Sequence, residues 1–438
     1  MLKQVCILLL SILISCGASA GNNPYRSDVV WVAAPDSSNW QYDLNAPATV
    51  EVAVYHYGIR QSGLAINYRS GPDMLPATTH GVVTSNQNGM AVIDAGTRSE
   101  PGFKTLHLTA TIDGKDYQHH LKLGFAPEQI MPVTTMPDDF TSFWQAQVEQ
   151  AQQVPVVVER TWVAELSDHR IDRYLVKLQA YQPGQFVYGY LTIPKQPGRF
   201  PAVFSPPGAG IKPLTPDKHR FYGEQGMIRF DMEIHGIRPD LDRATYSEIS
   251  QAFGQGNNSY LVNGLDSRDS YYMKKAYLSS LRVLDYLTSL PEWDGKNLIA
   301  QGGSQGGALA LVTAALDKRV TAVAANHPAL SDMGAYLHHQ AGGYPHLFSR
   351  FTGMDTPAKL NTLRYYDVVN FARMITAPVF MTWGYNDNVC PPTTSYAVYN
   401  VISSDKQALI TPVNEHWVST NTRHKILNWI KTTLRPAD

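Results

Sequence analysis

Cysteine is nearly absent from this chain, and so is any excess of charge. Its 438 residues include three cysteines, with 36 Lys and Arg against 37 Asp and Glu for a formal net charge of −1. That balance excludes the basic surface field a nucleic-acid binder needs. The cysteines exclude a disulfide scaffold, because Cys6 and Cys16 fall at the N-terminus and Cys390 stands alone. Stability must come from packing, which a large domain supplies. Long apolar runs are missing as well. Ile7 to Ile14, broken by Ser11, is too short for a bilayer span of about 20 apolar residues. Internal repeats and low-complexity tracts are also lacking.

The short apolar run, with Lys3 ahead of it, reads as a signal segment over residues 1–20. Two cleavage patterns compete. Ala18-Ser19-Ala20 is the small-residue pattern of ordinary signal peptidase. Leu13-Ile14-Ser15-Cys16 resembles a bacterial lipobox, which would leave a lipidated Cys16 as the mature N-terminus. The lipobox is the better fit. The expectation is an exported bacterial protein, periplasmic or attached to the outer membrane or cell surface through Cys16.

A single core stops growing near roughly 250–300 residues, so two domains are expected. Residues 21–127 read as an immunoglobulin-like β-sandwich. Val50 to Val54, Leu106-His107-Leu108 and Leu121-Lys122-Leu123 alternate apolar and polar, with turn clusters such as Asn86-Gln87-Asn88-Gly89 between runs. This module is expected to be a packing or spacer module, with carbohydrate binding as the sharper alternative. Residues 128–155 read as a linker and lead-in helix, capped by Asp138 or Asp139 and carrying Phe140, Phe143, Trp144 and Val148 at helical spacing. From 156 to 438, short apolar strands alternate with longer helices, the pattern of a mainly parallel sheet in an α/β-hydrolase fold.

The strongest chemical signal is Gly302-Gly303-Ser304-Gln305-Gly306-Gly307, which contains Gly-x-Ser-x-Gly. A strand ends before it and an apolar helix starts after it, as a nucleophile elbow requires. The tight turn lifts the Ser304 hydroxyl above the sheet and aims a helix N-terminus at the site, where developing negative charge is favoured. A serine hydroxyl is a weak nucleophile and needs a base held by an acid. In this fold both follow the serine in the chain. Pro378 to Gly384 is a strand whose following loop holds Asp387, the expected acid, with Asp332 and Asp367 as rivals. Ala408 to Ile410 is a later strand, and His416 on the next loop is the expected base. His424 lies inside the final helix and reads as a surface residue. The oxyanion donors are expected to be the N–H groups of Gln305 and of Ala209, in the Pro207-Gly208-Ala209-Gly210 turn, with Gly208 or Gly210 as alternatives to Ala209. His235, in the loop after another strand, is a candidate substrate contact. Neither a cofactor nor a metal is expected. The pairs His119-His120 and His338-His339 are adjacent, and adjacent side chains diverge.

Around the elbow, Gly302 to Leu309 followed by Ala314-Ala315-Leu316-Asp317 resembles the acetyl xylan esterase and cephalosporin-C deacetylase family. So does Gly384-Tyr385-Asn386-Asp387-Asn388-Val389-Cys390-Pro391-Pro392-Thr393, and Asn414-Glu415-His416 falls at that family's histidine. The helix with Asp139-Phe140 and Phe143-Trp144 looks like its opening segment. The resemblance covers residues 138–434. It implies removal of acetyl groups from xylan, xylo-oligosaccharides and small esters by a triad of Ser304, Asp387 and His416. Two positions depart. Many members have His-Gly-Tyr where this chain has Pro207-Gly208-Ala209, and Arg-Gly-Gln near His235-Gly236-Ile237. The expected partner is thus an acetylated carbohydrate, with the oligomeric state left open. Two other readings remain. One is a serine peptidase of prolyl-oligopeptidase type, whose β-domain is usually much larger. The other is a non-catalytic glycan-binding surface protein, against which the triad order argues.

Overall fold

The computed structural model describes residues 27–254 and 259–436. The signal segment with Cys6 and Cys16 lies outside the described residues. Among them, no helix is long and apolar enough to cross a membrane.

Alternating side chains build the first unit. Strands β1 (Val29–Pro35), β3 (Ala48–His56), β4 (Ile59–Arg60) and β7 (Met90–Gly96) form one sheet. Strands β2 (Gln41–Tyr42), β5 (Ala65–Pro72), β6 (Thr79–Thr84), β8 (Gly102–Ile112) and β9 (Lys115–Phe125) form a second. Every pairing is antiparallel except the short β2–β9 contact, which is parallel. Val50, Val52, Val54 and Ile93 from one sheet meet Ile66, Leu106, Leu108, Leu121 and Leu123 from the other in a shared core. Residues between them point outward, as a period of two requires.

The second unit is a larger sheet of strands β10 (Val158–Trp162), β11 (Ile171–Gln179), β12 (Phe186–Pro194), β13 (Phe200–Ser205), β14 (Ile228–Glu233), β15 (Trp293–Gly303), β16 (Ala322–Asn326), β17 (Val379–Trp383) and β18 (Lys406–Ile410). Their spatial order is β10-β11-β12-β14-β13-β15-β16-β17-β18. The first three pair antiparallel, and everything from β14 to β18 is parallel. Strands β16 and β17 are buried along their whole length, because helices cover both faces of a parallel sheet. The main ones are α1 (Phe140–Gln152), α2 (Met273–Ser289), α3 (Gln305–Leu316), α4 (Pro392–Val401) and α5 (Thr420–Thr433). Helix α3 is Ala- and Leu-rich and buried on nearly all sides, so it runs through the core rather than over it. Helix α2 buries Leu278, Leu281, Leu284 and Leu287.

Local chemistry differs from the sequence expectation in two places. Asp139 precedes α1 but makes no side-chain cap; its carboxylate is taken by Arg268 at 2.7 Å and by Tyr365. Strand β15 and helix α3 extend further than their apolar runs, meeting at Ser304 with no loop between. The sandwich packs against the second unit. Phe103 of β8 belongs to the core of the second unit and packs edge-on to Tyr385, with ring centroids 4.9 Å apart. Gln41 Nε2 donates to the Tyr385 hydroxyl at 2.6 Å.

Candidate active site

The C-terminal ends of the parallel strands carry the candidate residues, the edge of an open α/β sheet where ligands bind. Ser304 joins β15 to α3 with φ 59° and ψ −125°. A side chain pays a steric cost in this backbone region, and such outliers cluster at functional sites. The elbow holds because its glycines leave room. A Cβ at position 306 would lie 2.4 Å from the Pro206 carbonyl oxygen, so only glycine lets the turn after β13 rest on the start of α3.

Asp387 follows β17 and is fully buried. His416 follows β18 and is half-buried. Its Nδ1–H donates to Asp387 Oδ2 at 2.7 Å, while Oδ1 accepts the N–H groups of Val389 at 2.7 Å and Cys390 at 2.9 Å. Burial pushes the Asp387 carboxyl up, but the hydrogen bond and charge of His416 outweigh it and leave the acid below its ordinary value. Gly384 makes the meeting of the two loops feasible. A Cβ there would lie 2.0 Å from the Asn414 carbonyl oxygen, the group that accepts the Asn386 N–H at 3.1 Å.

Ser304 and His416 line one cavity of about 730 Å³, together with Ala209 and His235. Gln305 is the first residue of α3, so its N–H has no partner within the helix. The Gly210 N–H donates to the Tyr260 hydroxyl at 3.1 Å, and that hydroxyl donates to Gln305 Oε1 at 2.8 Å. Tyr260 thus ties the turn to the helix start and occupies Gly210, one of the alternatives to Ala209. Cys390 interacts with the Ser304 hydroxyl, but burial pushes its thiol far up, so it stays protonated.

His235, the candidate substrate contact, lines the cavity but offers it little surface. It is buried, its Nδ1 lies 2.7 Å from the Tyr272 hydroxyl, and its ring meets Tyr260 and Phe253 edge-on. Glu233 fixes the loop by accepting the N–H groups of His235, Gly236 and Ile237, each at 2.8 Å. The rival acids serve the linker. Asp332 accepts the N–H groups of Val133 and Thr134, and Asp367 those of Asp332 and Met333. Burial and then the Asp332 charge push Asp367 up to about 7. His424 is exposed on α5. The paired histidines do diverge: His119 stacks on Trp31, whereas His120 faces Asn386.

The residue that sequence reasoning missed is His327. It directly follows β16, so its signal was position after a strand rather than any motif. Its ring centroid lies 4.3 Å from that of His416, and burial, then the charge of His416, pushes its pKa down to about 4. It therefore stays neutral beside the other imidazole. His327, Asp387 and His416 also bring potential metal-ligand atoms within 4.8 Å of one another. The Asp387 oxygens, however, are already engaged by His416 and two backbone N–H groups.

The fold is that of an α/β-hydrolase. An acetyl esterase of Xylanibacter ruminicola, Axe7A, is 51% identical over 436 residues, covering 99% of this chain and 98% of that one. Among solved structures, an acetyl xylan esterase from Paenibacillus sp. R4 aligns with TM-score 0.62 at 25% identity, over 70% of this chain and 98% of that chain. Acetyl xylan esterase 1 from Thermoanaerobacterium sp. JW/SL YS485 aligns with TM-score 0.61 at 22% identity, over the same shares, and supports the fold. The acetyl xylan esterase family model matches residues 127–433. This chain belongs to the acetyl xylan esterase family and is a carboxylic ester hydrolase.

A group whose folded pKa is depressed loses stability as pH falls through it, because the unfolded chain takes up the proton first. For His327 the window runs from about 6.5, the unfolded value, down to about 4. Urea unfolding of wild type and His327→Gln at about pH 7.5, above that window, and about pH 5, inside it, should therefore show the difference moving in the variant's favour at the lower pH. A difference independent of pH would contradict the buried neutral state.

Proposed function

We propose that this esterase removes acetyl groups from an acetylated carbohydrate through an acyl-enzyme on Ser304. The observation that carries the reading is the 2.7 Å hydrogen bond from His416 Nδ1 to Asp387, formed on the wall of the cavity that holds Ser304. With Nδ1 engaged, His416 Nε2 is the nitrogen free to take a proton. It accepts the Ser304 proton as Oγ attacks the ester carbonyl, and Asp387 stabilises the imidazolium. The Gln305 and Ala209 N–H groups receive the oxyanion, each donor being worth roughly 3 kcal/mol. The imidazolium then protonates the leaving sugar oxygen. Water, deprotonated by the same nitrogen, attacks the acetyl-serine, and collapse returns the proton to Ser304 and releases acetate. His235 acts from the cavity wall by shaping it.

A carbohydrate fits the opening. Trp417 lines the cavity and is 44% exposed beside His416, offering an apolar face for a sugar ring, and the related protein that spans this whole chain is an acetyl esterase. The natural setting follows from residues 1–20: export, with Cys16 lipidated at a bacterial surface or in the periplasm.

Ser304→Ala should lower turnover of acetylated xylan and of 4-nitrophenyl acetate about a thousandfold or more with the fold intact. Turnover near wild type would overturn the assignment. For export, Cys16→Ser should shift the protein from the membrane to the soluble fraction; an unchanged distribution removes the lipid.

A further inference from the structure

The loop that carries Asp387 is held from both sides, and one side belongs to the other domain. Residues 121–123 alternate apolar and polar, the pattern of a strand that turns Lys122 away from the sandwich core. Lys122 does point away from the sandwich core, but it is 0% exposed, because the Asp387 loop covers it. Its Nζ donates to the Asp387 carbonyl oxygen at 2.6 Å and pairs with Asp73 Oδ1 at 2.8 Å, with Met74 Sδ at 3.9 Å. Its backbone N–H donates to Asn386 Oδ1 at 3.0 Å. Two residues earlier, His120 Nε2–H donates to the Asn386 carbonyl oxygen at 3.0 Å. Asp73 is also buried, and its second oxygen accepts from Thr393 Oγ1 at 2.7 Å, at the start of α4.

An ammonium taken wholly out of water is tolerated only when paired and hydrogen-bonded. An interface that merely separates two domains is served by apolar residues. Here the ammonium, balanced by Asp73, donates across the interface to one backbone carbonyl, that of Asp387. The contact also has a geometric use. A carboxylate that orients an imidazole must be held to about half an ångström by groups that are themselves locked. The Asp387 loop is short, and within its own domain the bond from Asn386 N–H to Asn414 ties it to the loop of His416. Strand β9 supplies the opposing anchor.

We propose that the N-terminal sandwich is a positioning module for the Asp387 acid, with Lys122 as the positioning residue and Asp73 as the counter-charge that lets it be buried. The proposal rests on the reading of Asp387 as the acid that orients His416. Lys122 touches neither substrate nor any reacting atom; it acts through the backbone of Asp387. The hydrolase sheet alone would hold the same three side chains with a looser acid.

The test uses the full chain. Lys122→Met together with Asp73→Asn removes both buried charges at once, so neither is left unpaired, and the amide at 73 can still accept from Thr393. With 4-nitrophenyl acetate the double variant should lose about 10- to 100-fold in kcat with KM within about twofold, the signature of misplaced chemistry rather than lost binding. The low-field proton NMR resonance of the His416 Nδ1–H should shift or broaden. A merely structural role would leave that resonance in place, so a kcat loss without it counts against the proposal. Should the double variant fail to fold, His120→Ala, which removes the Asn386 contact and the longer ones to Asn388 and Glu415 but leaves Lys122 and Asp73 in place, should lower kcat in the same direction by a smaller factor. Wild-type kcat and resonance in whichever variant folds would overturn the proposal. Asp387→Ala separates the two ideas. Where the sandwich variant behaves as wild type but Asp387→Ala has lost activity, the acid assignment stands and the sandwich's role falls; where Asp387→Ala retains full turnover, both fall.

Discussion

The hydrogen bond between His416 and Asp387 is the constraint on which the arrangement turns. It joins two loops that leave neighbouring parallel strands, and nothing in either loop alone would bring an imidazole within 2.7 Å of a carboxylate. The parallel register of β17 and β18 sets the loops side by side, and Gly384 lets their backbones touch. The carboxylate remains ionised although buried, since two backbone N–H groups and the imidazole replace the water it has lost. The neighbouring His327 stays neutral because burial denies it a proton, so it adds no charge to oppose an imidazolium at His416.

Much of this was legible in the sequence because it is local. A strand, a Gly-x-Ser-x-Gly turn and an apolar helix are consecutive, and that grammar located the elbow at Ser304. Chain order then located the loops of Asp387 and His416. What escaped was non-local. His327 carries no motif, and its burial depends on packing between strands 50 or more residues apart in sequence. His235 reads as a candidate substrate contact because its loop follows a strand, and the sequence does not show that Tyr260, Tyr272 and Phe253 pack around it from elsewhere in the chain. The burial of Lys122 is non-local too. Strand alternation separates the two faces of a sheet, yet does not reveal that the outer face lies under a second domain.

That second domain alters how the chain as a whole is understood. The family model begins at residue 127 and leaves the sandwich outside it, while the Xylanibacter ruminicola relative matches along nearly the full length. The contacts of Phe103, Gln41 and Lys122 with the segment around Tyr385 and Asp387 make the two units one packed body at the site. The hydrolase sheet supplies the chemistry, and the sandwich supports the loop on which its geometry depends.

The central claim is that the His416–Asp387 pair makes one serine reactive. The most direct measurement is labelling with a serine-directed fluorophosphonate, mapped by peptide mass spectrometry in wild type and Asp387→Ala. The account expects a single modified residue, Ser304, with the labelling rate falling about a hundredfold or more in the variant. Label on a different residue, or a rate indifferent to Asp387, would contradict it.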